Sequence, residues 1–301
     1  MRAFWRNTIW LVVVSVGVLV RAAESPVLAP GAELKKLAGD FKFTEGPTSD
    51  SEGDVYFTDQ PNDRILKWSE AGGLSTWKQP AGRANGMCFD RRANLFVCAD
   101  EKMELWLVDG GGRKTVLASE YQGKPLNGPN DVWVHPDGGL FFTDPFYARP
   151  WWSHKEMPQD GQHVYYLSPH RDKLVRVVNN LEQPNGIVGS PDGRKLFVAD
   201  IRAKKTYRFD IRDDGSLSNQ TLFCEMGSDG MTLDREGNLY LTGRGVTVFN
   251  SKGKQVEHID VPEGWTANVC FGGREYRTLF ITASAGFYSI EMKVQGNGPG
   301  K

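Results

Sequence analysis

The chain has 301 residues, of which 40% are hydrophobic, and its formal net charge is −1, with 36 Lys and Arg against 37 Asp and Glu. That hydrophobic share excludes a chain disordered throughout, and the even charge balance gives no reason to expect nucleic acid as a partner. The 34 glycines and 16 prolines fall in turn-like clusters rather than in a low-complexity tract, the habit of a loop-rich folded domain.

The first residues form a separate unit. Arg2 and Arg6 precede an apolar run from Ile9 to Val20, and Arg21-Ala22-Ala23 follows it. Basic residues, a 12-residue apolar stretch and then small residues predict a secretory signal peptide over 1–23. A membrane span needs about 20 apolar residues, so the run is too short for an anchor. The expected product is exported, periplasmic or secreted, and free of the membrane once cleaved. It carries 33 basic against 37 acidic residues over a single domain, 24–301, with an ordered core over about 33–292 and a frayed C-terminal tail.

Within that domain one pattern recurs: a carboxylate or amide, a few mostly apolar residues, a turn, then an apolar strand. It runs from Glu45 to Asp59, Asn85 to Asp100, Asn130 to Asp144, Asn185 to Asp200 and Asp229 to Gly243, with a degenerate sixth copy from Asn268 to Thr282. The leading residues lie 40, 45, 55, 44 and 39 positions apart, the period of a β-propeller. Clusters such as Pro136-Asp-Gly138, Pro191-Asp-Gly193 and Glu236-Gly-Asn238 supply the positive-φ positions that hairpins need. Further strands fill each period at 64–68, 105–108, 163–167, 206–209 and 245–249. The predicted fold is all-β: a six-bladed propeller of four-stranded blades around a central channel. The segment Leu34–Phe43 is expected to close the ring as the last strand of the last blade.

Four cysteines, Cys88, Cys98, Cys224 and Cys270, show no C-x-x-C spacing. Cys88 and Cys98 flank a turn and could face each other across a hairpin, an arrangement that export permits. Four buried free thiols are the equal alternative. Asp59, Asp100, Asp144 and Asp200 close repeated strands and read as turn residues.

Innermost strands of a propeller line its channel, so residues that open equivalent strands converge on the axis. Glu45, Asn85, Asn130, Asn185, Asp229 and Asn268 would therefore form a ring of oxygen donors without His or Cys. Such a ring suits Ca²⁺ best, with Mg²⁺ and Mn²⁺ as alternatives and Zn²⁺ a poorer one. Four of the six leaders precede glycine, which for any single position also reads as ordinary turn chemistry. Taken together the six point to a metal site, because Glu45 is a poor turn residue and no aliphatic residue takes the slot.

Phe43-Thr-Glu-Gly-Pro47, Asn127-Gly-Pro-Asn-Asp131, Gln183-Pro-Asn-Gly186 and Ser228-Asp-Gly-Met-Thr232 resemble the motifs of the gluconolactonase/regucalcin (senescence marker protein) family of six-bladed propellers. They come in the family's order, and the resemblance spans nearly the whole chain from Leu34 to the last strand. It implies Glu45, Asn130, Asn185 and Asp229 as ligands of a catalytic metal, and a gluconolactonase-like activity on a small lactone. Asn127 matches a substrate-contacting position of bacterial relatives. Where regucalcin-like members carry an arginine near this point, Gly128 stands here, a departure that bears on sugar-lactone specificity.

In such a site a divalent ion polarises the lactone carbonyl, and Asp229 is the candidate base or nucleophile. Asn85, Asn127 and Asn268 are candidate hydrogen-bonding contacts to substrate. The longest interval between repeats contains Asp144-Pro-Phe-Tyr-Ala-Arg-Pro-Trp-Trp-Ser-His154. It reads either as a substrate lid with Tyr147, Trp151 and Trp152 as packing surfaces, or as a surface loop pinned by its own aromatics. Phosphotriester or aryl-ester hydrolysis on the same metal, and a non-catalytic binding propeller, are the competing functions.

Overall fold

A computed structural model describes residues 24–299; the predicted signal peptide lies outside them. Six four-stranded antiparallel sheets are arranged as successive blades, and no α-helix occurs among the described residues. From the inner edge outward, blade 1 is built from Thr44–Ser49, Val55–Asp59, Arg64–Ser69 and Gly73–Lys78. Blade 2 is Ala84–Phe89, Leu95–Ala99, Glu104–Val108 and Lys114–Ala118. Blade 3 is Val132–Val134, Leu140–Asp144, His163–Leu167 and Leu174–Val178. Blade 4 is Pro184–Gly189, Lys195–Asp200, Lys205–Ile211 and Leu217–Cys224. Blade 5 is Met231–Leu233, Leu239–Gly243, Gly245–Phe249 and Gln255–Ile259.

Blade 6 takes Thr266–Gly272, Thr278–Ala283 and Gly286–Glu291 from the end of the chain and its outermost strand, Lys35–Ala38, from the beginning. Lys35 pairs with Ser289 and Ala38 with Phe287, so strand pairing within one blade joins the two ends of the domain. The C-terminal segment is not frayed up to residue 299. Arg235 N–H donates to the Gln295 carbonyl, and the Asn297 amide reaches Leu233. Closure is thus reinforced from both chain ends.

The hairpins arise from local side-chain chemistry. Asp50, Asp90 and Asp234 each open the turn between the first two strands of a blade and accept N–H groups two and four residues on. This Asx geometry hands the chain to a positive-φ residue, Gly53, Ala93 or Gly237. Second strands are buried along their whole length in blades 1, 2, 3 and 5, which explains their apolar runs. Their side chains fill the gaps between blades: Phe96, Cys98 and Leu105 of blade 2 pack with Val132, Leu140, Phe142 and Tyr165 of blade 3. Each such large side chain contributes roughly 1.5–3 kcal/mol by leaving water.

All four cysteines are free. Register decides this for Cys88 and Cys98: Cys88 stands opposite Phe96, two residues short of Cys98. The aspartates that close second strands also turn out to be more than turn residues. Asp59 accepts the N–H groups of Lys42 and Phe43, Asp144 those of Asn127 and Gly128, and Asp200 those of Glu182 and Gln183. Each fully buried carboxylate clamps the loop that enters the inner strand of its own blade.

Candidate metal and active centre

The leading residues sit where inner strands bulge. Pairing with the second strand jumps between Glu45 and Thr48, between Ala84 and Met87, between Pro184 and Ile187, and between Thr266 and Asn268. A bulge re-aims one side chain out of the sheet, here toward the axis. The glycines after the leaders are therefore not hairpin turns. They allow neighbouring inner strands to touch: a Cβ on Gly46 would meet the Asn85 carbonyl, and one on Gly230 the Asn268 amide. A Cβ on Gly186 would lie 2.8 Å from the Asp229 carbonyl. Threonines near the ends of two second strands tie the next inner strand to the blade before it. Thr143 donates to the Asn185 carbonyl at 2.7 Å and Thr242 to the Ala267 carbonyl at 2.8 Å.

At one end of the channel a cavity of about 240 Å³ is lined by Phe43, Glu45, Gln60, Asn85, Asn130, Tyr147, Arg149, Ile201, Asp229 and Trp265. Asp229 Oδ2 accepts from Trp265 Nε1 at 2.6 Å and its Oδ1 from Asn185 Nδ2 at 2.9 Å. The same Asn185 amide nitrogen lies 2.8 Å from Tyr147 Oη. Glu45 accepts from its neighbour's Gly46 N–H and from Asn268 Nδ2.

Burial pushes both carboxyls up. Desolvation is the largest cause for Glu45, the Asp229 charge adds to it, and its pKa stands well above the ordinary range. Asp229 is raised to about 6, again chiefly by burial, while the Trp265 and Asn185 donors and the Arg149 charge pull it back.

These residues fit a divalent cation. The buried Glu45 and half-buried Asp229 carboxylates line one cavity, and the side-chain oxygens of Asn85 and Asn185 are buried without any hydrogen-bond partner. An unmet amide oxygen inside a protein is costly, and a cation satisfies it. No group of three or more His, Cys, Asp or Glu occurs among the described residues, so the donor set is two carboxylates with amide oxygens. Such hard, amide-rich donors favour calcium-like ions over zinc.

Four residues expected at the substrate lie elsewhere. Asn127 is fully buried; its Nδ2 donates to the Asp144 and Gly161 carbonyls and its Oδ1 accepts from Gln159 N–H, so its amide is spent on fixing the loop over 159–161. Trp152 is also buried, donates from Nε1 to the Asp100 carbonyl and stacks on His154, which makes it the pin of the 144–163 insertion. Trp151 does not line the cavity; Arg83 packs on its ring. Asn268 lies beyond Glu45 and lines a second cavity, of about 140 Å³, with Asp131 and Met231. It steadies Glu45. Tyr147 and Asn85 do line the mouth.

Gln60, Arg149 and Trp265 line the mouth as well, and sequence reasoning passed over all three. Trp265 stands just before the inner strand of blade 6, and Arg149 lies inside the insertion that was read for its aromatics.

Residues 43–285 match the family model described as "SMP-30/Gluconolactonase/LRE-like region". Gluconolactonase of Zymomonas mobilis subsp. mobilis is 28% identical over 90% of this chain and 84% of its own length. Diisopropyl-fluorophosphatase of Loligo vulgaris is 26% identical over 91% of this chain and 96% of its own. Among solved structures, a putative gluconolactonase superposes with a TM-score of 0.84 at 33% identity, covering 90% of this chain and 95% of the other. A gluconolactonase from Xanthomonas campestris does so with a TM-score of 0.82 at 28% identity and the same coverage.

Proposed function

Because the chain belongs to the SMP-30/Gluconolactonase/LRE-like family, we propose that it is a divalent-metal-dependent lactonase that opens a small lactone of the sugar type, with calcium as its ion. The observation that carries this reading is the pairing of the buried Glu45 and half-buried Asp229 carboxylates with the unmet amide oxygens of Asn85 and Asn185, the latter bonded to Asp229. Glu45, Asn130, Asn185 and Asp229 would hold the ion, and the Asn85 oxygen faces the same cavity beside them. When bound, it supplies Lewis-acid polarisation of the ester carbonyl and screens the two carboxylates.

The chain's own groups do the rest. Held ionised by the cation, Asp229 can take a proton from the attacking water. Trp265 Nε1 and Asn185 Nδ2 fix the carboxylate from two sides, so it meets the water in one orientation. As the carbonyl carbon gains the water oxygen and the ring C–O bond breaks, the proton held on Asp229 passes to the departing ring oxygen. The product is a hydroxy acid and the carboxylate is restored. Asn85, on the same wall, can hydrogen-bond the substrate's oxygens.

Proton release from a panel of sugar and aliphatic lactones tests the reading. Activity is expected to vanish after EDTA treatment and return on calcium addition. The resemblance to diisopropyl-fluorophosphatase makes phosphotriesters and aryl esters the second panel. Turnover there alone would move the assignment, and silence on both panels with ion demonstrably bound would leave a binding propeller. We also propose export, on the order of basic, apolar and small residues over 2–23; N-terminal sequencing of the protein expressed with its full chain is expected to begin near residue 24.

A further inference from the structure

Asp59, Asp144 and Asp200 each spend their carboxylate on the loop entering their own inner strand. Asp100, at the same place in blade 2, does not. Its loop is held instead by Asp63, whose Oδ1 accepts from Ala81 N–H at 3.0 Å and from Arg83 N–H at 2.6 Å. The buried Asp100 carboxylate turns to the channel mouth, where Oδ2 lies 2.7 Å from Arg149 Nε and accepts from Gln60 Nε2 at 3.2 Å. Gly128 makes this possible: at φ +140° a Cβ there would come within 2.8 Å of the Trp152 ring and 3.0 Å of Asp100 Oδ1.

Arg149 is thereby fixed with work still to do. Its guanidinium packs on Tyr147 and Trp151, 5.3 and 5.6 Å from their ring centroids, and the residue lines the cavity with Glu45 and Asp229. None of its five N–H donors makes a hydrogen bond among the described residues; Nε, ion-paired with Asp100, is buried without one. The charges around it say what it would take. Glu45, Asp100, Asp229 and the deeper Asp131 face two guanidiniums, Arg149 and Arg83; with a divalent cation these formal charges cancel, which gives an anionic substrate no advantage.

We infer that Arg149, braced by Asp100, is a specificity-determining residue whose free N–H edge donates to the hydroxyl and ring oxygens of a neutral polyhydroxylated lactone. This rests on the lactonase reading above. In this chain the insertion carries the arginine, while position 128 must be glycine.

The test compares glucono-δ-lactone with unsubstituted δ-valerolactone in the wild type, R149M, R149K and D100N. R149M is expected to lose about ten- to a hundredfold in kcat/KM on the sugar lactone, the worth of hydrogen bonds to a charged group. The sugar-to-plain ratio should fall at least fivefold, mainly through KM. R149K should not restore that ratio, since an ammonium lacks the planar fork. D100N should lower it by a smaller factor, because the guanidinium loses its brace. Calorimetry with a sugar lactam, which has no ester to cleave, should show the same ranking, and calcium affinity measured alongside should not fall in R149M, because a positive charge beside the ion is removed. Equal losses on both lactones, or an unchanged ratio, would overturn the inference while leaving the lactonase reading intact. Failure of the wild type on both lactones would overturn the two together.

Discussion

At the scale of single residues, the site depends on groups whose ordinary chemistry is altered by burial. Both oxygens of Asp229 accept from fixed donors, Asn185 Nδ2 and Trp265 Nε1. Asp229→Asn would turn an amide NH₂ toward one of those donors and remove the proton acceptor. It is expected to lower kcat by about 10²–10⁴-fold and to weaken calcium binding, measured by single-turnover kinetics and calorimetry. Asp144 offers a cleaner reading of buried charge. Burial raises its pKa to about 7, while the Asn127 and Gly128 N–H groups pull it down. A carboxyl whose pKa is higher folded than unfolded binds its proton more tightly in the native state. Its contribution is therefore present in full below the ordinary carboxylate range and is lost as pH rises through about 7. The stability difference between wild type and D144N should shrink by roughly 2 kcal/mol from pH 5 to pH 8, as read by denaturant titration at each pH.

At the scale of elements, the inner strands do two jobs: they carry the ligands and they pack the ring. Both depend on small residues after the leaders. A methyl on Gly230 would run into the Asn268 amide, and Asn268 in turn holds Glu45. Gly230→Ala is expected to destabilise the fold by about 1–3 kcal/mol through overpacking. Thermal unfolding with and without calcium should show a larger loss in the ion-bound form, because Glu45 is displaced with its support. Turn chemistry was the obvious reading of Asn-Gly and Asp-Gly pairs, since those dipeptides do favour hairpins. What it could not reveal is that the next inner strand occupies the space where the Cβ would be. By contrast the hairpin turns at Asp50, Asp90 and Asp234 were legible, because an Asx turn is made within five residues.

At the scale of the whole molecule, the ring is closed by strand pairing between the beginning and the end of the domain. Lys35–Ala38 covers the edge of Gly286–Glu291, and the buried Val27 packs in the same cluster as Met292 and Val294. A chain beginning at residue 39 would lose that cover and expose a strand edge. Its thermal midpoint is expected to lie roughly 5–10 °C below that of a chain beginning at residue 24, with more aggregate on size exclusion.

The repeat period, the number of blades and the residues that open each inner strand were legible in the chain, because each is a periodic property of residues near one another in sequence; the closing strand followed from the ring that six repeats must make. Glu45, Asn85, Asn130 and Asp229 were named from that period, and all four line one mouth. The tertiary structure alone decided which polar residues face the cavity and which brace it. Asn127 and Asn268 carry the same amide as Asn185, yet their amides are spent on a loop and on Glu45. Arg149 finds an ion-pair partner at the mouth because Asp100, unlike Asp59, Asp144 and Asp200, is relieved of its loop by Asp63. Burial and partnership depend on contacts between residues tens of positions apart, and no local pattern of residue types encodes them.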